Sequence, residues 1–370
     1  MIYLDYQATT PLAPEAREAM LPWLEKFGNP HSPHRAGREA AAAVEVASAQ
    51  VASALGDEDG RGKLIFTSGA TEAANWALQG AIMRGSHRRI VTIATEHACV
   101  LDTAEWLAGR GVETIVLPVL PNGVVDLEAA AAAIDDNTAL VAAMLVNNEI
   151  GVIQPIEVLS RLAHESGALF FCDAVQGFGR VDLPLEECDL IALSAHKLHG
   201  PKGIGALWLR AGLEWPPLIH GGGQQLGLRS GTLSPMLCAG FGAAAQLASE
   251  RREHDRIHVN RLSEFIETQF QGWTINGDRQ RRYRGNLNIR REGVDANRLI
   301  SDVREVAFSA GSACASGSGR PSHVLRALGL SDVEARSSIR LGFGRYTTQD
   351  EIERAARLIN QAAARQLEWI

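Results

Sequence analysis

DLIALSAHKLHGPKGIGALWLR, residues 189–210, contains two lysines, Lys197 and Lys202, in a chain where only four of the 36 lysines and arginines are lysine. The other two stand at positions 26 and 63. The stretch reads as an apolar strand (189–194), a polar turn holding both lysines, and a second apolar strand (203–210). Arginine keeps its proton inside a protein, whereas a lysine in suitable surroundings loses it and condenses with a carbonyl. Lysine kept at a strand end, in a chain that otherwise writes its positive charge as arginine, points there to amine chemistry.

The same pattern extends outward. KLIFTS (63–68), RIVTIA (89–94), ETIVLP (113–118), TALVAAMLVNN (138–148) and ALFFCD (168–173) read as further strands, separated by helical stretches at 71–84, 98–109, 126–134 and 155–165. Continuous apolar strands alternating with helices predict an α/β domain built on a mostly parallel sheet covered on both faces. Ser234-Pro235 is a cap followed by proline at the first helical position, opening a helix to about 270. That helix is apolar at both ends and charged through SERREHDR, the pattern of a helix bridging two domains. The remainder predicts a smaller α+β C-terminal domain. The expected division is a large domain over 14–250 and a small one from 1–13 and 251–370, the latter carrying the low-complexity loop SAGSACASGSG (309–319).

Composition narrows the function. At 46% hydrophobic and 21% charged residues the chain is an ordinary globular protein. A net charge of −7 argues against nucleic acid or an anionic membrane as partner. No apolar run reaches membrane-spanning length, and the N-terminus lacks the regions of a signal peptide. Five scattered cysteines (99, 172, 188, 238, 314) show no C-x-x-C spacing, so neither a structural zinc site nor a disulfide framework is expected. Free thiols without a secretion signal predict a reducing, cytoplasmic location.

Thr71, His97, Asn148, Asp173 and the Lys197 turn all fall just past the carboxyl ends of strands, the edge at which open α/β sheets bind ligands. TSGATEAAN (67–75) places Ser68, Gly69 and Thr71 at a helix start, a cradle for phosphate or carboxylate as well as ordinary capping. No G-x-G-x-x-G is present and DEDGRGKL (57–64) is not a P-loop, so a small phosphorylated cofactor is favoured over a nucleotide. A Schiff-base lysine, a phosphate cradle and a carboxylate for a pyridinium nitrogen are what pyridoxal 5'-phosphate requires. Asp173 is the natural carboxylate, Gln176 is placed to bond the ring hydroxyl, and His97 to stack on the ring and move protons. Cys314, among small residues, reads as an unhindered thiol on a mobile loop. SSIRLGFGRYT (337–347) supplies Arg340 and Arg345, either of which suits a bidentate carboxylate clamp.

YLDYQATTPL, FGNPHS, FTSGATEAAN, TEHACVLD, VNNEIGVIQPI, CDAVQ, SAHKLHGPKGIGAL, GGGQQLGLRSGTL, GSACASG and SSIRLGFGRYT, in that order and over nearly the whole chain, are similar to the motifs of cysteine desulfurases. These are pyridoxal-phosphate enzymes of the class V aminotransferase group, of the type that feeds iron–sulfur cluster assembly. The resemblance implies the fold type I architecture and a reaction converting L-cysteine to L-alanine. It implies that Lys197 carries the cofactor, that Ala70, Thr71, Ser194 and His196 bind its phosphate, and that Thr232 reaches the phosphate across a homodimer interface. His97, Asp173 and Gln176 match ring-binding positions, and Asn148 and Arg345 match residues that hold the substrate and its carboxylate. Cys314 matches the cysteine that becomes a persulfide, touching an acceptor or cluster transiently; no intrinsic metal is implied. Lys202 and Tyr6, which stands where the family often has asparagine, receive no role. Only 24 residues follow Tyr346, a shorter tail than in housekeeping bacterial members. The acceptor is therefore open among a cluster scaffold, a sulfur relay, a tRNA-thiolation enzyme and a DNA-sulfur-modification system. Rival readings are a selenocysteine lyase or another class V enzyme, a non-catalytic subunit, and an esterase suggested by HGGG (220–223), for which no G-x-S-x-G exists.

Overall fold

The computed structural model describes residues 1–311 and 321–368, so Cys314 lies outside the described residues. Seven strands form the main sheet in the order Gly62–Thr67, Gly205–Arg210, Leu190–Ser194, Leu169–Asp173, Thr138–Met144, Arg89–Ile93, Glu113–Leu117. Six run parallel; Gly205–Arg210 is antiparallel to both its neighbours. The near-continuous apolar strands follow from burial on both faces. Successive side chains alternate between two cores, so Phe170 packs with Val51, Leu159 and Phe241 while Phe171 packs with Trp76, Val100 and Leu140. Both phenylalanines are fully buried, and each contributes about 1.5–3 kcal/mol of transfer free energy.

A smaller four-stranded antiparallel sheet has the order Ser309–Ala310, Ser338–Gly342, Asn286–Arg290, Thr274–Ile275. The two-residue strand Ile2–Tyr3 pairs in parallel with Val306–Ala307. Ile2 and Leu4 thereby join a third core with Leu287, Ile339, Leu341 and the helix Gln349–Leu367. The helix Pro235–Gln269 spans both units. Its Ser234 cap accepts from the Leu237 amide at 3.4 Å, Phe241 and Ala245 face the large core, and Val259, Leu262 and Ile266 face the small one. Between them Arg251, Arg252, Glu253 and Arg256 stay in ion pairs at the surface, as the charged middle of the sequence anticipates.

The parallel strands bring Thr67, Asp173 and Ser194 to one edge, and the loops after Ile93 and Met144 bring His97 and Asn148 to the same edge. At Gly205 the backbone is so close to its neighbours that an added Cβ would stand 2.5 Å from the Leu193 carbonyl oxygen and 2.9 Å from Gly69 Cα. Neither neighbour is a movable side chain. Gly205→Ala is expected to cost about 1–3 kcal/mol, measured as a lower urea midpoint at unchanged slope; an unchanged midpoint would mean that the Gly69 turn gives way freely.

Candidate active site

At that edge lies a cleft of about 610 Å³, between the sheet and the small unit. The Leu190–Ser194 strand ends in one tight helical turn, Ala195–Lys197. The N-terminal segment fixes this turn: the Thr10 amide and hydroxyl both donate to the His196 carbonyl at 2.9 Å, and the His199 amide donates to Thr10 Oγ1 at 2.7 Å. Lys197 Nζ donates to the carbonyls of Gln7 at 2.5 Å and Ala8 at 2.8 Å, while Arg180 Nη2 donates to the Lys197 carbonyl. His199 and Gly203 take positive φ values of 68° and 86°, turning the chain back into the Gly205–Arg210 strand.

On one wall the helix Ala70–Arg84 begins at Gly69 without a side-chain cap, and open space lies where Gly69 would carry a Cβ. Its first amides, the helix dipole and the side chains of Ser68, Thr71, Ser194, His196 and Lys202 line one end of the cleft with Ala70. Lys202, left without a role by the sequence, thus stands in the cradle. Burial, followed by the charges of Lys197 and Lys202, lowers the His196 pKa to about 4. His196 is therefore neutral at pH 7, and its Nδ1 lies 3.2 Å from Thr9 Oγ1. Arg229 pairs with Glu72 at 2.8 Å, and Gln225 bonds both backbone groups of Phe66, tying the 219–232 loop beside the cradle. Thr232, expected on the phosphate of a partner subunit, is exposed and does not line its own chain's cleft.

Asp173, His97, Gln176 and Asn148 also line the cleft. Asp173 Oδ1 accepts from the Val175 amide at 2.9 Å; burial raises its pKa, opposed by that amide and by the charges of His97 and Lys197. Gln176 donates to the Gln7 carbonyl at 2.9 Å and accepts from Arg180 Nη1 at 2.7 Å. His97 Nδ1 accepts the Cys99 amide at 3.1 Å as the cap of the helix Ala98–Ala108, which directs the ring's N–H to Nε2. Behind it Glu96 is buried, and burial, then the nearby Asp173 charge, holds its pKa well above the usual range. Asn148 Oδ1 is buried with no protein partner among the described residues.

The two arginines separate. Arg340, 1% exposed, lines this cleft; it donates to the Asn148 carbonyl at 3.0 Å and pairs with Asp5 at 2.7 Å. Arg345, expected on the substrate carboxylate, is not in this cleft: it pairs with Asp255 at 2.7 Å and lines another. Beyond the segment holding Cys314, Ser322 Oγ donates to Glu149 and His323 Nε2 lies 2.8 Å from the Glu96 carbonyl. Both bonds tie that end of the segment to the wall behind His97. Sequence reading passed over Glu96 and Glu149, although each adjoins a residue it named, in TEH and NNE. No cluster of potential metal ligands occurs among the described residues.

The description of one family, aminotransferase class-V, matches residues 2–355. The chain belongs to the class-V aminotransferase family. Among its relatives, the cysteine desulfurase IscS of Rickettsia bellii (strain OSU 85-389) is 47% identical over 370 residues, covering 97% of this chain and 90% of that protein. A solved NifS-like protein superimposes with a TM-score of 0.91 at 32% identity, covering all of both chains. A structure titled SspA in complex with cysteine gives 0.83 at 34% identity, covering 94% of this chain and 100% of that one. The cofactor of this class-V enzyme is pyridoxal phosphate. Its residues fit that group: the uncapped helix start suits a phosphate, the buried Asp173 suits a pyridinium, and the orphaned Asn148 amide oxygen faces a cleft that holds a lysine amine.

Glu149 offers a test of this buried electrostatics. Burial raises its pKa from 4.5 to about 7, opposed by the Ser322 hydroxyl and by Arg340 and His97. Between those values the folded chain holds a proton that the unfolded chain has released, so stability falls as pH rises through the window. From about pH 5 to about pH 7.5 the wild type should lose roughly 2 kcal/mol more than Glu149→Gln in urea unfolding. Parallel profiles would mean that Glu149 is already ionised in the folded protein at the lower pH.

Proposed function

We propose that this class-V enzyme is a cysteine desulfurase that converts L-cysteine to L-alanine and leaves the sulfur on Cys314 as a persulfide. The observation that carries the reading is that Lys197, Asp173 and His97 meet in one cleft of a chain aligned over 97% of its length with a cysteine desulfurase. Bound to the Lys197 amine, pyridoxal phosphate supplies the electron sink that acidifies the substrate's α-proton and weakens its Cβ–S bond.

The protein's residues do the rest. The uncapped helix start, Thr71, Ser194, neutral His196 and Lys202 hold the phosphate end. Asp173 keeps a proton on the ring nitrogen, and Gln176, gripped by Arg180, sets the ring edge. Lys197 is the candidate base at the α-carbon, and His97, whose Nδ1 is taken by the Cys99 amide, is placed to return a proton from Nε2. Arg340, the arginine that lines the cleft, takes the substrate carboxylate in place of Arg345, with Asn148 beside it. Cys314 thiolate attacks the substrate sulfur; the Cβ–S bond breaks as the S–S bond forms, and Cβ gains a proton to give alanine.

The functional unit in this reading is a homodimer in which the exposed Thr232 reaches the cradle of the partner subunit. It works in the reducing cytoplasm, where Cys172, Cys188 and Cys238 remain buried thiols. The persulfide passes to an acceptor protein for iron–sulfur cluster or other sulfur-compound assembly. No described helix is long and apolar enough to cross a membrane.

Purified, cofactor-loaded protein given L-cysteine and a reductant should form alanine, and Cys314→Ala should fall below roughly one hundredth of that rate. Equal alanine from both would favour a lyase of the selenocysteine type. Arg340→Lys should raise KM for cysteine by about tenfold or more, through loss of a bidentate charge-assisted contact. A larger rise in Arg345→Lys would return the carboxylate to Arg345.

A further inference from the structure

A second cleft, of about 770 Å³, shares no lining residue with the first but abuts it at Tyr6–Gln7 and at Lys197–Leu198. It is bounded by the Gly179–Asp182 segment, the charged middle of the long helix, Arg282–Arg284 and Arg345. Six arginines line it, Arg180, Arg252, Arg256, Arg282, Arg284 and Arg345, against the four carboxylates Asp182, Glu250, Glu253 and Asp255.

The carboxylates are mostly taken. Asp182 pairs with Arg252, Glu253 with Arg256 at 2.6 Å, and Asp255 with Arg345 Nε at 2.7 Å. Glu250 accepts from Gln246 at 2.8 Å. Arg180 and Arg282 have no carboxylate within ion-pair distance among the described residues. Arg282 is 5% exposed, its Nη2 donates to the Asn286 carbonyl, and its Nη1 has no partner. The Arg345 side chain is equally buried, and its Nη1 is also without a partner. A buried cation whose charge is not matched is costly, and arginines that serve only as structural glue normally face carboxylates.

We propose that this cleft binds a small organic polyanion carrying phosphate or carboxylate groups. Arg282 and Arg345 each offer an unpartnered Nη1 to such groups, and Arg180, whose Nη1 and Nη2 are bonded to Gln176 and Lys197, adds its positive charge beside them. Tyr283, over which Arg180 lies at 5.2 Å, and Tyr6 give the occupant an apolar wall. The volume is that of an ordinary metabolite site. The occupant is also sensed at the first cleft, because Arg180 holds both the Gln176 amide oxygen and the Lys197 carbonyl. That coupling rests on the cofactor assignment; the binding does not.

The test is calorimetric titration of the holoenzyme, with its phosphate cradle filled, by inorganic pyrophosphate and separately by citrate. One saturable site per chain is expected with at least one anion, and the tighter probe tells phosphate from carboxylate recognition. Arg282→Gln and Arg345→Gln should each weaken binding by about tenfold or more. Arg252→Glu, at the exposed rim, should weaken it as well without putting the fold at stake; melting curves identify any buried variant that fails to fold. Arg298→Gln, an exposed arginine of the small unit, should leave binding unchanged. Saturation should also shift the visible absorbance of the bound cofactor in the wild type but not in Arg180→Gln. Absence of saturable heat with both anions, or equal weakening in Arg298→Gln, would overturn the site.

Discussion

Everything in the active cleft depends on how residues 4–13 cross the lysine turn. Leu4 is buried in the small core, and its carbonyl accepts from the Gly342 amide at 2.8 Å. Thr10 bonds His196, and the Ala13 amide donates to the His199 carbonyl at 2.9 Å before the chain enters the helix Pro14–Met20, which packs on the long helix. One extended segment therefore links the two cores and places two carbonyls on the lysine amine. Backbone carbonyls hold the amine through directional hydrogen bonds without adding a negative charge, and so fix where Nζ stands at the cleft.

A second theme is the density of buried charge. Glu96, Asp173 and Glu149 are all buried, with Lys197, Arg340 and the His97 ring among them. In a low-dielectric site each carboxylate that ionises needs a nearby cation, and each left unmatched keeps its proton. Each accepts a backbone amide, Asp173 from Val175 at 2.9 Å and Glu96 from His97 at 3.2 Å, but Asp173 also has the charges of Lys197 and His97 close by, whereas the charge facing Glu96 is that of Asp173. The two carboxyls thus differ in what faces them: nearby cations pull Asp173 down against its burial, while burial and the Asp173 charge both push Glu96 up.

Arg180 joins this site to the arginine-lined cleft behind it. Its fork satisfies a side-chain amide on the cofactor wall and the backbone of the lysine, and its plane lies against Tyr283. One rigid, planar group thus lines the second cleft and bonds two residues that line the first.

Much of this was legible beforehand. The strands were readable because burial on both faces makes them continuously apolar, and the bridging helix because its middle alone is charged. Lys197, Asp173, His97 and Asn148 were readable because parallel strands deliver their carboxyl ends to one edge. The resemblance to a family supplied the roles of Cys314 and Thr232, the first outside the described residues and the second exposed. Tertiary structure alone decided the strand order, with the antiparallel Gly205–Arg210 inserted beside Gly62–Thr67. It also decided which arginine faces which cleft: Arg340 sits within a central strand beside Asn288 and Ser309, while Arg345 lies past its end, where the chain turns to Asp255. Five residues of separation carry no such information. The lysine's carbonyl partners were equally invisible, because every residue has a carbonyl and only the path of the folded chain determines which ones arrive.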